Sequence, residues 1–473
     1  MKRRTFLQVA AGASLAVGLK SVGAGSARAG SANAGGLTVK RPPRFGDGRD
    51  WFFEKRFGLF IHWGLYSIPG WHEQHQWRGR IPRPEYVKLA DHWNPVHFDP
   101  DRWLDVMEEA GMKYITITAK HHDGFCLWNT EYTDYNTMNA PYGKDVIGML
   151  AEACHRRNVP LCLYYSIVDW HNPHYPNEGR SHELPPQPQD SPDWSKYLEF
   201  LKGQVRELCT NYGEIHGFWW DMNRPGYEDP SINEMIRELQ PKAVINNRGF
   251  DDGDYGTPER DFHADESLSF VKPVEACQSV GIQSWGYRKE EDFYTDRHLM
   301  RSIDRYLARD ANYLLNVGPK PDGTFPEESV AILKRIGAWY HPVKKSLLDV
   351  KPVSPLTDNR DVMLTSRGRT LYVHLNQDLR GNFVQLNPIN VEPVSAKLVN
   401  DGRDIDYVVR FGPWSHRAEG QPAYLNLINL PMNEMCNTVP VVKLEFDRSL
   451  TDLAQPSSPM DGDSGFRIPG KDA

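Results

Sequence analysis

Between residues 56 and 340 short apolar runs alternate with longer stretches of helical spacing, and this alternation limits the chain to very few architectures. The runs are 58–63 (GLFIHW), 114–119 (YITITA), 161–166 (LCLYYS), 217–221 (GFWWD), 243–247 (AVINN) and 313–317 (YLLNV). They are apolar at consecutive positions, as parallel strands covered on both faces require. The stretches between them carry helix starts. Asp99 and Pro100 precede Trp103, Leu104, Met107 and Ala110 at spacings of three and four, and Gly111 closes the segment. Residues 145–154 behave similarly, and 198–212 places Phe200, Leu201, Val205 and Leu208 on one helical face. Repeated strand–helix units of this kind predict an α/β fold, a (β/α) TIM-like barrel. A doubly wound open sheet is the alternative, but no glycine-rich phosphate fingerprint follows any of the runs.

Beyond His341-Pro342 the texture changes. The segments 362–365, 370–375, 407–411, 423–430 and 439–446 are short, β-prone and separated by turn residues, so a C-terminal all-β sandwich is expected. The first residues read as a leader. Arg3, Arg4 and Phe6 precede a short, glycine-rich apolar run, and Ala27-Arg28-Ala29 supplies small residues for cleavage, the pattern of a twin-arginine export signal. The expected organisation is a signal peptide over 1–29, a barrel over 30–345, a sandwich over 346–451 and a flexible tail over 452–473. The mature protein is then expected to be soluble, in the periplasm or secreted. No run approaches the length of a membrane span. The net charge of −7 with interleaved acids and bases offers no basic stripe, so neither nucleic acid nor membrane is an expected partner. The six cysteines are widely spaced with no C-x-x-C pair, which argues for free thiols rather than a metal cluster or disulfide framework. A homo-oligomer is left open.

In a (β/α) barrel the chemistry sits where the strands end. The residues there are His62, His121, His122, Asp123, Tyr164, Tyr165, Asp221, Asn246, Asn247, Arg248 and Asn316. Trp63, Trp71, Trp77, Trp128, Trp219, Trp220 and Trp285 fall at or just past the same ends. Any one strand-end histidine is ordinarily structural, and no H-x-H or H-E-x-x-H spacing supports a metal. The mixture of hydrogen-bonding groups with tryptophan does suit a pyranose, which has hydroxyls on its rim and an apolar face. Asp221 follows two tryptophans at the end of a buried run, where a carboxylate is costly unless it is paired or used. As a glycosidase nucleophile it would need a second carboxyl about 5–5.5 Å away. Glu259 and Glu275 are the two choices, and each could equally be a loop acid.

The ordered set "RFGLFIHWGLYSIPGW", "ITAKHHDGFCLW", "YYS", "GFWWDM", "GTPE", "SWGY" and "NYLLNVGP" resembles the α-L-fucosidases of glycoside hydrolase family 29 over residues 56–340. The resemblance implies a retaining exo-hydrolase that releases L-fucose from a fucosylated glycan, with a barrel, a C-terminal β-sandwich and no metal or other cofactor. Carried over by position, it implies Asp221 as nucleophile and His62, His121, His122, Tyr164 and Arg248 as sugar-binding residues, with Trp219 and Trp285 shaping the pocket around the methyl group. It implies Glu259 or Glu275 as acid/base, and Glu259 is preferred because burial beside a pocket would keep it protonated.

One position departs from the pattern. Many family members carry a sugar-contacting Glu-Trp pair after the first strand, and here Gln74-His75 falls there, with Glu73 one residue early. This departure leaves two further readings, a relative acting on another α-L-glycoside such as an α-L-galactoside, and a catalytically weak carbohydrate-binding protein. The C-terminal domain would either bind glycan or a neighbouring subunit near the barrel mouth, or serve as a stabilising lid.

Overall fold

The computed structural model describes residues 41–222, 229–260, 270–411 and 423–453. The expected leader, and the expected tail from residue 454 onward, lie outside the described residues. Among the described residues the first element set is a seven-stranded parallel sheet of order β5-β4-β3-β2-β1-β7-β6. Its strands are β1 (Phe57–Ile61), β2 (Ile115–Lys120), β3 (Leu161–Ser166), β4 (Gly217–Asp221), β5 (Val244–Ile245), β6 (Glu275–Ser279) and β7 (Asn312–Val317). Every residue of β1, β2, β3 and β7 is buried, which is why these strands read as unbroken apolar runs.

The two edge strands do not pair with each other. Residues 255–260 run between them and form parallel bridges to both sides, Asn246 with Tyr255, Gly256 with Val274, and Glu259 with Cys277. This irregular stave joins β5 to β6 and completes the wall. Proline at 258 removes one backbone donor, so the segment cannot be a full ladder strand.

Six helices cover the strands: α1 (Pro100–Glu109), α2 (Val146–Arg157), α3 (Trp194–Thr210), α4 (Pro230–Leu239), α5 (Asp296–Leu307) and α6 (Glu327–Val343). Aspartate side chains cap four of them. Asp99, Asp145, Asp193 and Asp229 each accept a backbone N–H of the first turn. Two details differ from the sequence expectation. The run 243–247 yields only the two-residue β5, because Asn246 spends its side chain on the Trp220 backbone of the neighbouring strand. Strand β6 (EACQS) has no apolar run to announce it.

The β-rich region that follows has two antiparallel sheets, in the orders β12-β15-β10-β9-β8 and β11-β14-β13. Their strands are β8 (Lys351–Pro352), β9 (Met363–Arg367), β10 (Thr370–His374), β11 (Val384–Gln385), β12 (Ser395–Leu398), β13 (Asp406–Arg410), β14 (Tyr424–Ile428) and β15 (Val441–Glu445). Leu364, Leu371, Leu386, Leu425, Leu427 and Leu444 form the core between the sheets. Leu453, in the final turn, is buried in the same core.

The β-sandwich docks on α5 and α6, on the flank of the barrel. Met363, Tyr372, Val439 and Val441 extend the barrel's hydrophobic core, and the Trp339 indole donates to the Val439 carbonyl at 2.9 Å. Asp304 of α5 and His374 of β10, both fully buried, meet at 2.7 Å, and the Asn376 amide donates to the other Asp304 oxygen at 2.9 Å. All six cysteines are unpaired; five are buried and Cys436 is exposed. No helix among the described residues is long and apolar enough to cross a membrane.

Candidate active site

The ends of the strands enclose a cavity of about 250 Å³. The expected catalytic and sugar-binding residues line it except His75 and Glu275; of the other strand-end residues, Asp123, Tyr165, Asn246, Asn247 and Asn316 do not, and Phe60, Glu73, His182, Met222 and Cys277 do. Among the described residues the β-sandwich contributes none to the lining.

Asp221 is the last residue of β4, with its side chain 15% exposed. The Tyr164 hydroxyl donates to Oδ2 at 2.7 Å and Arg248 Nη1 donates to Oδ1 at 3.1 Å. Burial pushes its pKa up, but the Arg248 charge, His122 and these hydrogen bonds outweigh it and hold the carboxyl below its ordinary range. The other arm of Arg248 donates through Nη2 to Glu259 Oε2 at 2.9 Å. Nε holds the Thr257 hydroxyl at 2.8 Å, so the guanidinium is tied to the same stave that carries Glu259. Glu259 is 40% exposed at the cavity mouth and paired with Arg248, so the burial expected to keep it protonated is not found. One guanidinium therefore spans both carboxylates. Each is followed at once by a residue in the left-handed region, Met222 (φ 64°) and Arg260 (φ 56°), a backbone conformation that concentrates at functional sites.

The histidines come from strand ends. Strand β2 stops at Lys120, whose ammonium turns away from the cavity to Asp169 at 2.7 Å. With the strand ended, His121 and His122 need not point to opposite faces; both reach the cavity, their rings 4.0 Å apart. Gly124 (φ 80°) then turns the chain, and a Cβ there would stand 2.7 Å from Asp169 Oδ1. Ser166 gives its own proton to the Val168 carbonyl, so it must accept from His122 Nδ1 at 2.7 Å. Burial lowers the His122 pKa to about 4, so the ring is neutral near pH 7 with Nε2 as an acceptor. That atom lies 3.9 Å from Asp221 Oδ2, too far for a direct hydrogen bond. His62 is fixed in the same way. Asn316 donates to Ser279 and to the Trp285 carbonyl, so its oxygen accepts from His62 Nδ1 at 2.7 Å, and burial lowers the ring's pKa. His121 stacks on Tyr164, and its Nδ1 is buried without a protein partner.

Two sequence expectations are corrected. His75 begins a four-residue helix of which Gln74 is the N-cap, and neighbouring residues on a helical turn diverge by about 100°. Gln74 therefore lines the cavity while His75 packs on Trp71 and Tyr86. Gln74 is also half committed, since its oxygen accepts from Arg78 Nε at 2.9 Å. The carboxylate on this side of the cavity is Glu73, 3% exposed, which accepts from the Ser284 hydroxyl at 2.8 Å and the Trp285 backbone at 2.9 Å. Burial opposes its charge, but His72 at 3.2 Å and the Ser284 hydroxyl outweigh it and keep the carboxyl low.

Glu275 is the second correction. It opens β6 and lies at the strand's N-terminal end, with Tyr114 and Trp219 as partners; Cys277, two residues further on the same face, is the one that reaches the cavity. Of the tryptophans expected at the barrel mouth, only Trp219 and Trp285 line the cavity, while Trp63, Trp128 and Trp220 are core. His182 was missed because it comes from the proline-rich loop between β3 and α3, where it stacks on Trp77 with centroids 4.8 Å apart. Among the described residues no three His, Cys, Asp or Glu side chains converge as a metal would require.

Comparison with known proteins agrees with this geometry. A family model described as Alpha-L-fucosidase matches residues 46–344. The chain is 24% identical to the tissue alpha-L-fucosidase of Bos taurus over 410 residues, covering 80% of this chain and 85% of that protein. Against the human tissue enzyme it is 26% identical over 353 residues, covering 68% and 74%. Among solved structures, alpha-L-fucosidase isoenzyme 1 from Paenibacillus thiaminolyticus superposes with a TM-score of 0.75 at 33% identity, covering 85% of this chain and 99% of that one. A GH29 alpha-L-fucosidase from Bacteroides thetaiotaomicron superposes with a TM-score of 0.71 at 26% identity, covering 87% and 98%. That structure was trapped as a covalent intermediate with 2-fluoro-fucosyl fluoride in a glutamate-to-glutamine variant. A (β/α) barrel with an attached β-sandwich, a cavity holding two carboxylates on one arginine, and a family match across the barrel place this chain in the α-L-fucosidase family of glycoside hydrolases, GH29.

Proposed function

We propose that the cavity removes terminal L-fucose from fucosylated glycans by double displacement with retention. The observation that carries this reading is the bridging of Asp221 and Glu259 by the two arms of Arg248. Asp221, kept ionised, attacks the anomeric carbon while Glu259 protonates the departing glycosidic oxygen, giving a glycosyl ester on Asp221. Glu259 then takes a proton from water as that water displaces the ester, and fucose leaves with its original configuration. His62 and His122, neutral and oriented by Asn316 and Ser166, accept from sugar hydroxyls, and Glu73 accepts from another. The apolar corner of Phe60, Trp219 and Trp285 suits the methyl group of a deoxy sugar.

The α-L-galactoside and weak-binder readings arose from Gln74-His75; with Glu73 supplying a carboxylate on that side, the fucoside reading is preferred. The test is turnover of an aryl α-L-fucoside beside the matching α-L-galactoside, with the first product anomer read by proton NMR. Early α-L-fucose and labelling of Asp221 by a 2-fluorofucosyl donor are expected. Early β-anomer, or label on another residue, overturns the mechanism. Asp221→Asn should abolish turnover in a folded protein. EDTA should leave the rate unchanged, since every step is carried by side chains.

We also propose that the chain is exported through the Arg3-Arg4 signal, a reading that rests on sequence alone. Replacing both arginines by lysine should hold the protein in the cytoplasm, and unchanged export would refute it.

A further inference from the structure

Glu275 is a buried carboxyl with no path to the sugar, and its two oxygens are both spoken for. The Tyr114 hydroxyl donates to Oε1 at 2.6 Å and the Trp219 indole donates to Oε2 at 3.1 Å. A carboxyl in such a place is costly, and a residue that only filled space would be better apolar. What it holds is the floor of the cavity. The Trp219 ring stacks with Tyr164, centroids 5.6 Å apart and planes 16° from parallel, and the Arg248 guanidinium lies 4.7 Å from its centre. Tyr164 and Arg248 are the two groups that hydrogen-bond Asp221.

We infer that Glu275 is a positioning residue for the nucleophile, acting through the Trp219 indole. The inference rests on the double-displacement reading, in which Asp221 is the attacking group. The chain of contacts is short: the carboxylate fixes the indole's rotation about its own plane, the indole fixes the Tyr164 ring and the Arg248 plane, and these set both oxygens of Asp221. Tyr255 is a third hydrogen-bond partner of the carboxyl. A glutamine at 275 could keep the indole by turning its amide nitrogen to the Tyr114 hydroxyl, which can accept as well as donate, whereas a leucine accepts from none of them. The expected result is a floor that tilts without a change in which residues line the cavity. Ionised Glu275 accepts from both donors at once, and burial pushes its pKa up to about 7, so this acceptor is in short supply at acidic pH.

The experiment is a double-mutant cycle on the whole protein with Glu275→Leu and Trp219→Phe, assayed on an aryl α-L-fucoside, with thermal melting and near-UV circular dichroism of each variant. Glu275→Leu should lower kcat about ten-fold, the loss of the indole's hydrogen bond to a charged group, with KM within about two-fold. In the Trp219→Phe background, which lacks the indole N–H, it should cost nothing further. It should also change the near-UV spectrum in the native background and leave it unchanged in the Trp219→Phe background. If Glu275→Leu does not fold, Glu275→Asp, which keeps the charge and withdraws it by one methylene, takes its place in the cycle. Fully additive losses overturn the inference. So does restoration of Glu275→Leu by azide, which would make Glu275 itself the acid/base; only Glu259→Ala should respond to azide. If the native protein turns over no fucoside, the double-displacement reading fails, and the spectral cycle alone then decides whether Glu275 positions Trp219.

Discussion

The Tyr164 hydroxyl lies 2.7 Å from Asp221 Oδ2 and can only be the donor, because the carboxyl beside Arg248 is ionised. That hydrogen bond favours the charged nucleophile. Tyr164→Phe should therefore lower kcat/KM roughly 10- to 100-fold, the usual worth of a hydrogen bond to a charged group. It should also raise the Asp221 pKa, moving the acid limb of the kcat/KM profile to higher pH. A profile that keeps its acid limb in place would show that another group sets it.

Arg248 bridges two carboxylates and lies over an indole, which a point charge cannot do. Arg248→Lys should cost about 100-fold or more in kcat, well beyond Tyr164→Phe. Steady-state kinetics with melting temperatures as a folding control would check this, and equal losses in the two variants would argue against the bridge.

Glu275 and Asp123 are both buried acids whose pKa is pushed up to about 7 by burial. An acid with a raised folded pKa binds more protons folded than unfolded, so stability is full below the ordinary carboxylate pKa and is lost as pH rises towards 7. The native protein should therefore melt at a higher temperature near pH 5 than near pH 8 on account of these groups. Glu275→Gln and Asp123→Asn should each flatten that slope. An unchanged slope in both variants would mean that other groups dominate the pH dependence.

Asp304 and His374 form a fully buried pair between α5 and the β-sandwich. Removing one partner costs the other its hydrogen bond across the joint while Asn376 and Thr365 remain, so Asp304→Ala or His374→Ala should destabilise the protein by about 1–3 kcal/mol. Chemical denaturation followed by tryptophan fluorescence is the measurement, and a change of under about 1 kcal/mol would place the pair among weakly coupled contacts.

The barrel was legible because its strands are buried on both faces; Tyr164, Asp221, His62 and the paired histidines could be placed simply by asking where each run ends. Legibility failed where the wall is irregular. Strand β6 alternates small and polar side chains, so nothing marked Glu275 as its first residue or Cys277 as the one reaching the cavity. The same gap in pattern left Glu259 on a segment with no strand signal at all. Glu73 and His75 were misjudged because a four-residue helical turn, invisible to periodicity, decides which of three neighbours faces inward. His182 could not be found locally, since its place depends on the stacking with Trp77, residues far apart in sequence.

The stave over 255–260 has a consequence for how such enzymes change over time. Asp221 stands on a strand paired along its length with β3, so the proposed nucleophile is fixed by the most regular part of the wall. Glu259 stands on a filler with isolated bridges, where inserting or deleting a residue disturbs no continuous ladder. Descent with modification can thus relocate the proposed proton donor while the strand that carries Asp221 is inherited unchanged.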